Sequence, residues 1–203
     1  LASDRIYNAI KELQSAGKLV YSSMGNIATS GGYYISLASD KVYANNNTLT
    51  GSIGVISSLM HYTRLTNELG ITTHHLKTGK YIDEYAPSKT ITKEDIQRFK
   101  SYQHYFYKHF ISIVKKERKL TEKELQTIAQ GQIILGKDGI KLKLIDNIGN
   151  FYDSVDAMAT ELNIENPELI YYQSSDKSHI NTDQVNTALI RNWSRYFKLI
   201  FPN

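Results

Sequence analysis

Cysteine is absent from the 203-residue chain, which excludes a disulfide framework, a thiolate-held zinc and a thiol nucleophile. Proline is scarce, with three residues, and tryptophan occurs once, so neither breaks up the helical patterns that run through much of the chain. No apolar run approaches the ~18 residues of a membrane span, and no secretory leader is recognisable. The basic excess is small. Lys and Arg number 24 against 20 Asp and Glu, a net charge of +4, and they are scattered. A nucleic-acid partner calls for a clustered basic patch, so none is expected. The histidines do not pair at metal-ligand spacing. His104 and His109 miss the i, i+4 register of a helical metal pair. His74 and His75 point to opposite faces of a strand. No metal and no other cofactor is expected.

What is present is an ordinary globular composition, 41% hydrophobic and 22% charged, enough for one domain with a core or one domain with an appendage. Ile6, Ala9, Ile10 and Leu13 recur at helical spacing, and Gly17 supplies a stop. Leu19 to Ser22 reads as a strand, Tyr33 to about Asp40 as a helix, and Lys41 to Ala44 as another strand. That alternation predicts an α/β arrangement with parallel strands and crossover helices. Leu49 to Ile56 reads as extended, His61 to Leu69 as helical, Thr72 to Thr78 as a strand and Gly79 to Lys89 as a loop. Thr92 with Asp95 is a capping-box pattern opening a long helix to about Arg118, with Phe99, Tyr102, Phe106, Phe110, Ile113 and Val114 as its core stripe. Thr121 with Glu124 opens a second helix. A strand at Ile133 to Leu135, helices at Gly136 to Leu144 and Phe151 to Leu162, and a last strand at Leu169 to Tyr172 complete the pattern. Ser174 to Asp183 is polar and loop-like. Ala188 to Phe201 is basic and aromatic, suited to docking on its own domain or a neighbouring subunit, or to a membrane surface.

The stretch with chemical character is Ser22 to Tyr34. Ser30 stands between a strand and a helix, directly before Gly31 and Gly32. A serine in such a bend can expose its hydroxyl, and glycines let backbone N–H groups approach a ligand. This is the logic of an activated serine nucleophile, although the G-x-S-x-G pattern is not met. The same serine also suits a helix N-cap. Locally, both readings stand.

Several stretches taken together resemble the signal peptide peptidase A (SppA) family of serine peptidases. They are Ser23-Met24-Gly25, Ala28 to Ile35 around Ser30-Gly31-Gly32, Ala38 to Ala44, Thr48 to Ile56, Leu76 to Lys80, Ala86-Pro87-Ser88, Gly131-Gln132 and Asp146 to Gly149. The resemblance covers about Leu1 to Leu162. It implies a ClpP/crotonase-type α/β fold, a spiral of short, mostly parallel strands with outer helices. It implies a peptidase domain over 1–173, with its front end ahead of Leu1, and a C-terminal extension over 174–203. The implied activity is degradation of cleaved leader or membrane peptides by a Ser/Lys mechanism. Ser30 would be the nucleophile and Gly31 N–H an oxyanion donor, with the second donor ahead of Leu1. Tyr33, Leu49, Ile53 and Val55 are candidates for the lining of a peptide groove. Homo-oligomerisation is also implied, as is membrane association through a segment ahead of Leu1, with the domain extracytoplasmic in a bacterium.

The chain departs from this family at one position. The family's lysine is expected directly before Asp83, where Ile82 stands. Isoleucine can fill a buried slot but cannot accept a proton. Three readings follow. Lys80 substitutes, since residues 80 and 82 of an extended segment share a face about 6–7 Å apart. Or the chain is a catalytically inactive homologue that binds peptides or builds an assembly. Or the residue is an engineered change that traps substrate. A Ser30–His75–Asp83 triad has no support in the spacing.

Overall fold

Helix α1 (Ala2–Ser15) is the first element of the computed structural model, which describes residues 2–172. Its residue Tyr7 reaches the core. The helix ends in a Schellman pattern: Lys18 N–H bonds Leu13 O, Gly17 N–H bonds Gln14 O, and Gly17 takes the left-handed φ of 77° that the motif requires. Then come β1 (Tyr21–Met24), β2 (Ile27–Thr29), α2 (Gly31–Ser36), β3 (Lys41–Ala44) and β4 (Leu49–Gly51). β1 pairs in parallel with β3, and β2 in parallel with β4, in two different sheets.

The chain therefore steps from one sheet to the other twice, at Gly25-Asn26 and at 45–48. The step lengths set the register. Tyr21 lies opposite Lys41, whereas Ile27 lies opposite Leu49. The second step is two residues longer than the first, and the register shifts by the same two. Buried Thr48 locks the second step: its hydroxyl donates to Gly25 O at 2.8 Å and accepts from Asn45 N–H at 3.1 Å. Thr50, also buried, donates to Ala28 O at 2.9 Å.

The later elements are α3 (Thr63–Glu68), α4 (Lys93–Arg118), α5 (Glu122–Ile128), β5 (Ile133–Leu135), α6 (Gly136–Gly139), β6 (Asn147–Ile148) and α7 (Phe151–Glu161). β5 adds antiparallel to β4 and β6 adds parallel to β3, giving sheets β1-β3-β6 and β2-β4-β5. The fold is thus α/β with short, mostly parallel strands and flanking helices. Reciprocal capping boxes open α4 (Thr92 with Asp95), α5 (Thr121 with Glu124) and α7 (Asn150 with Asp153). Each such cap stabilises by about 1 kcal/mol. The innermost side chains are Tyr33, Leu37, Val42, Ile53, Val114 and Leu144. An apolar side chain fully withdrawn from water contributes ~1.5–3 kcal/mol.

Four expectations need correction. Thr72 to Thr78 forms no strand; its residues are mostly exposed and lack a ladder, and an extended segment without a partner does not make a sheet. Leu169 to Tyr172 is irregular too. The strand expected over Leu49 to Ile56 stops at Gly51, because Gly51 and Ser52 turn to φ 72° and 50°. The α4 stripe is core at Phe99, Phe110 and Val114, but Phe106 is 55% exposed. The compact unit ends at Glu165. The expected loop at Ser174 to Asp183 and the tail segment Ala188 to Phe201 lie outside the described residues. Among the described residues no helix is long and apolar enough to cross a membrane.

Candidate active site

Ser30 sits where β2 ends and α2 begins. Its N–H donates to Gly51 O at 2.8 Å, extending the β2–β4 pairing by one bond. Its carbonyl accepts from Tyr34 N–H at 2.8 Å, the first bond of α2. Between those anchors the backbone takes φ 50° and ψ −111°, and the side chain makes no capping bond. The residue occupies the N-cap position without doing an N-cap's work. The capping reading of Ser30 is therefore set aside. A non-glycine residue in such a conformation costs on the order of 1–3 kcal/mol, and the flanking bonds hold it there. The side chain is exposed.

Gly31 follows because α1 passes over it: a Cβ there would lie 2.6 Å from Ser3 Oγ. The N–H groups of Gly31 and Gly32 fall in the first turn, ahead of the Tyr34–Ser30 bond, so no intrahelical acceptor is available to them. On the other side, the segment after β4 is laced to 131–132. Ser52 N–H bonds Gln132 O at 2.8 Å, Gly131 N–H bonds Ile53 O at 3.0 Å, and the Gly54 Cβ position is 3.0 Å from Gly131 Cα. That lacing delivers Gly54, Val55 and Ile56 to the rim of the Ser30 cleft.

The cleft has a volume of about 320 Å³. α1 contributes Ser3 and Asp4, the Ser30 turn contributes Ser30, Gly31 and Tyr34, and α4 contributes Phe106, His109 and Phe110. Three of these polar groups meet. Tyr34 OH donates to Asp4 Oδ1 at 2.6 Å, and His109 Nε2 lies 3.0 Å from Tyr34 OH and 3.4 Å from Asp4 Oδ1. The bond from Tyr34, then that from His109, holds the Asp4 carboxyl below its ordinary range. Burial, then the bond to Asp4, pushes the Tyr34 phenol up. A wider hollow of about 570 Å³, lined by His61, Thr63, Arg64 and Thr90 among others, shares no residue with the cleft.

The residues expected at the site are only partly assembled. Ser30, Gly31 and Val55 line one cleft. Tyr33 does not: it is 0% exposed, and its hydroxyl donates to Leu144 O at 3.0 Å inside the core. Ile53 is likewise core, and Leu49 is half-buried in β4, away from the cleft lining. Lys80 is not among the cleft residues either. Its ammonium bonds both Glu94 oxygens at 2.7 and 2.8 Å, and that pairing, aided by Tyr81, raises its pKa. In this geometry Lys80 is a charged surface lysine. Ile82, expected in a buried slot, is 71% exposed because 81–85 forms a surface turn. His75 faces Ser88 and Asp83 faces Lys77, so they form no triad with Ser30.

Asp4, Tyr34 and His109 carry no motif of their own and were not anticipated as site residues. One signal was available. Tyr34 is one helical turn beyond Ser30 and shares its face.

The sequence profile of peptidase family S49 matches residues 12–165. Protease 4 of Salmonella typhi is 33% identical over 172 residues, covering 85% of this chain and 28% of that protein. The chloroplastic serine protease SPPA of Arabidopsis thaliana is 31% identical over 165 residues, covering 81% of this chain and 24% of that protein. A relative from Enterococcus faecium is 33% identical over 167 residues, and the chain spans 48% of its length. The chain thus spans about half the length, or less, of these relatives. Among solved structures, an enoyl-CoA hydratase/isomerase from Marinobacter aquaeolei matches with a TM-score of 0.43 and 10% identity, over 93% of this chain and 59% of that one. That likeness is too distant to bear on function.

Proposed function

Since the chain belongs to peptidase family S49, we propose that it is a serine peptidase of the signal-peptide-peptidase type, with Ser30 as nucleophile. Its substrates would be cleaved leader or membrane peptides, and its working form a homo-oligomer associated with a membrane. The observation that carries this reading is the backbone of Ser30, φ 50° and ψ −111°, held by two hydrogen bonds while the side chain stays exposed and uncommitted. An exposed serine held in that strain, with its side chain uncommitted, suits a nucleophile that must be presented to a substrate. Attack on a peptide carbonyl forms the Oγ–C bond and leaves negative charge on the carbonyl oxygen. Gly31 N–H is the adjacent backbone donor for that charge.

The test is labelling by a fluorophosphonate. Ser30 is expected to be modified, and Ser30→Ala to remain unmodified. A folded parent protein that resists labelling overturns the reading.

One observation favours a second reading. Ile82 stands where the family resemblance expects lysine, and Lys80 is bound to Glu94. On that reading the chain is an inactive homologue that binds peptides or serves as a scaffold. An inert parent whose Ile82→Lys variant labels at Ser30 would establish it.

A further inference from the structure

The Ser30 cleft contains one cluster of titratable side chains that the reading above leaves unused: Asp4 from α1, Tyr34 from α2 and His109 from α4. We propose that His109 is the proton acceptor for Ser30, with Asp4 and Tyr34 as positioning residues. The inference rests on Ser30 being the nucleophile.

The hydrogen bonds assign the imidazole's tautomer. Tyr34 has one hydroxyl proton and donates it to Asp4 Oδ1. Its oxygen then accepts from His109 Nε2, 3.0 Å away, so Nε2 carries the hydrogen. That N–H also faces Asp4 Oδ1 at 3.4 Å. A neutral imidazole has one N–H, which leaves Nδ1 as the acceptor, and among the described residues Nδ1 has no partner. An imidazole oriented through one nitrogen by a carboxylate, with the other nitrogen free, is the arrangement that withdraws a serine proton.

Its placement follows from the helix. Tyr34 N–H bonds Ser30 O, so the two residues are one turn apart. Helical side chains lean back over the preceding turn, which carries the Tyr34 ring toward Ser30. His109 is at the hydroxyl end of that ring, on the wall of the same 320 Å³ cleft. The groups facing His109 are Asp4 and Tyr34, and every other residue lining the cleft is uncharged. Behind Tyr34 stands Tyr7, its ring 5.6 Å from that of Tyr34 and its hydroxyl bonded to Glu117. The other walls are apolar: Val55, Ile56, Phe106 and Phe110.

The step balances. As Ser30 Oγ bonds to the carbonyl carbon, its proton passes to Nδ1. When the C–N bond breaks, the departing amine takes that proton. Water then adds to the ester, giving its proton to Nδ1, and Oγ recovers a proton as the carboxylic acid leaves.

Fluorophosphonate labelling of the full chain tests this. The Oγ–P bond forms, the P–F bond breaks, fluoride leaves, and the serine proton goes to His109 and then to solvent. The parent's labelling rate is expected to rise as the pH is raised from acid, as the acceptor gives up its proton. His109→Ala is expected to lower it ~10²–10⁴-fold, the usual weight of a general base. Added imidazole should restore part of that loss. His109→Gln keeps a donor for Tyr34 and serves if the alanine variant does not fold; it should be equally slow. Asp4→Asn should slow labelling less and move the pH profile toward lower pH, because the imidazolium loses its carboxylate neighbour. If Ser30 labels in the parent and both folded His109 variants match its rate, the acceptor assignment is wrong while the nucleophile stands. If the parent never labels, the nucleophile reading falls, and this inference with it.

Discussion

Tyr33→Phe separates a groove residue from a core residue at the position three beyond Ser30. Phenylalanine keeps the ring and its volume and removes one oxygen. That oxygen is buried with its ring and donates to Leu144 O at 3.0 Å. Leu144 O accepts no other hydrogen bond among the described residues. The Arg118 guanidinium also interacts with the phenol, and Arg118 Nε is already buried without a partner. The variant therefore strands a buried carbonyl and deprives a buried cation of a neighbour. Leaving one such group unsatisfied costs about 1–3 kcal/mol. For a unit of this size 1 kcal/mol moves the midpoint by ~2–4 °C, so the melting temperature should fall by roughly 2–12 °C. Circular dichroism during heating measures it, alongside the rate of Ser30 labelling. Labelling should be unchanged at temperatures where both proteins are folded. An unchanged melting temperature together with altered labelling or peptide KM would put the hydroxyl in the groove and refute the packing argument.

The other predictions concern a close approach, a lysine and a carboxylate. Gly136→Ala would place Cβ 2.0 Å from Asn45 O, and the Gly136 N–H bond to Thr48 O at 2.8 Å prevents the strand end from moving aside. The expected loss is about 3 kcal/mol or more, read from the urea midpoint; a parent-like midpoint would disprove the close approach. Lys80→Ala should leave Ser30 labelling at the parent rate, since that lysine is held charged by Glu94, and a large drop would return it to the catalytic role. Glu124 is depressed from 4.5 to about 2 by Lys143 first and then by the Thr121 N–H and hydroxyl. Folding thus favours the ionised form. Its contribution is complete above the ordinary carboxyl pKa of about 4.5 and is lost as pH falls toward 2. Glu124→Gln should flatten the acid limb of stability over that range, measured by denaturant midpoints at successive pH; identical limbs would refute it.

Local signals carried the longer helices and β3, while β2 went unread and the helix expected over Gly136 to Leu144 stops at Gly139. Lys41 to Ala44 reads as a strand and is one, and the Thr92/Asp95 and Thr121/Glu124 boxes mark where α4 and α5 begin. These features depend on neighbours within a turn, so they are legible in the chain itself. The step between sheets is not. It depends on Thr48 bonding back to Gly25 O, a contact between residues far apart in sequence, and no local pattern announces it. Thr72 to Thr78 failed for the converse reason: it reads locally as extended, and no strand pairs with it. Ser30 was legible as a position, because serine followed by two glycines between a strand and a helix is a local pattern. Its strain was not, since φ 50° is imposed by Gly51 on one side and Tyr34 on the other.

The base poses a different problem from the nucleophile. A search for a lysine near Ile82 looks along a loop, and the side chains there pair with one another: Lys77 with Asp83, Lys80 with Glu94, Lys89 with Asp95. For Lys80 and Lys89 that pairing raises the pKa, the opposite of what a base needs. The cleft faces a helix instead. Phe106, His109 and Phe110 occupy positions i, i+3 and i+4 of α4 and present one face to it. The stripe that reads as plain core from its aromatics therefore carries an imidazole on the wall of the cleft that Ser30 also lines. Taken with His104, His109 suggests only a metal pair at the wrong spacing. Taken with Phe106 and Phe110, it is a polar group on a face otherwise used for packing, and a half-exposed carboxylate bonded to a buried tyrosine is there to orient it. With isoleucine where the resemblance expects a lysine, the proposed proton acceptor is sought on this face.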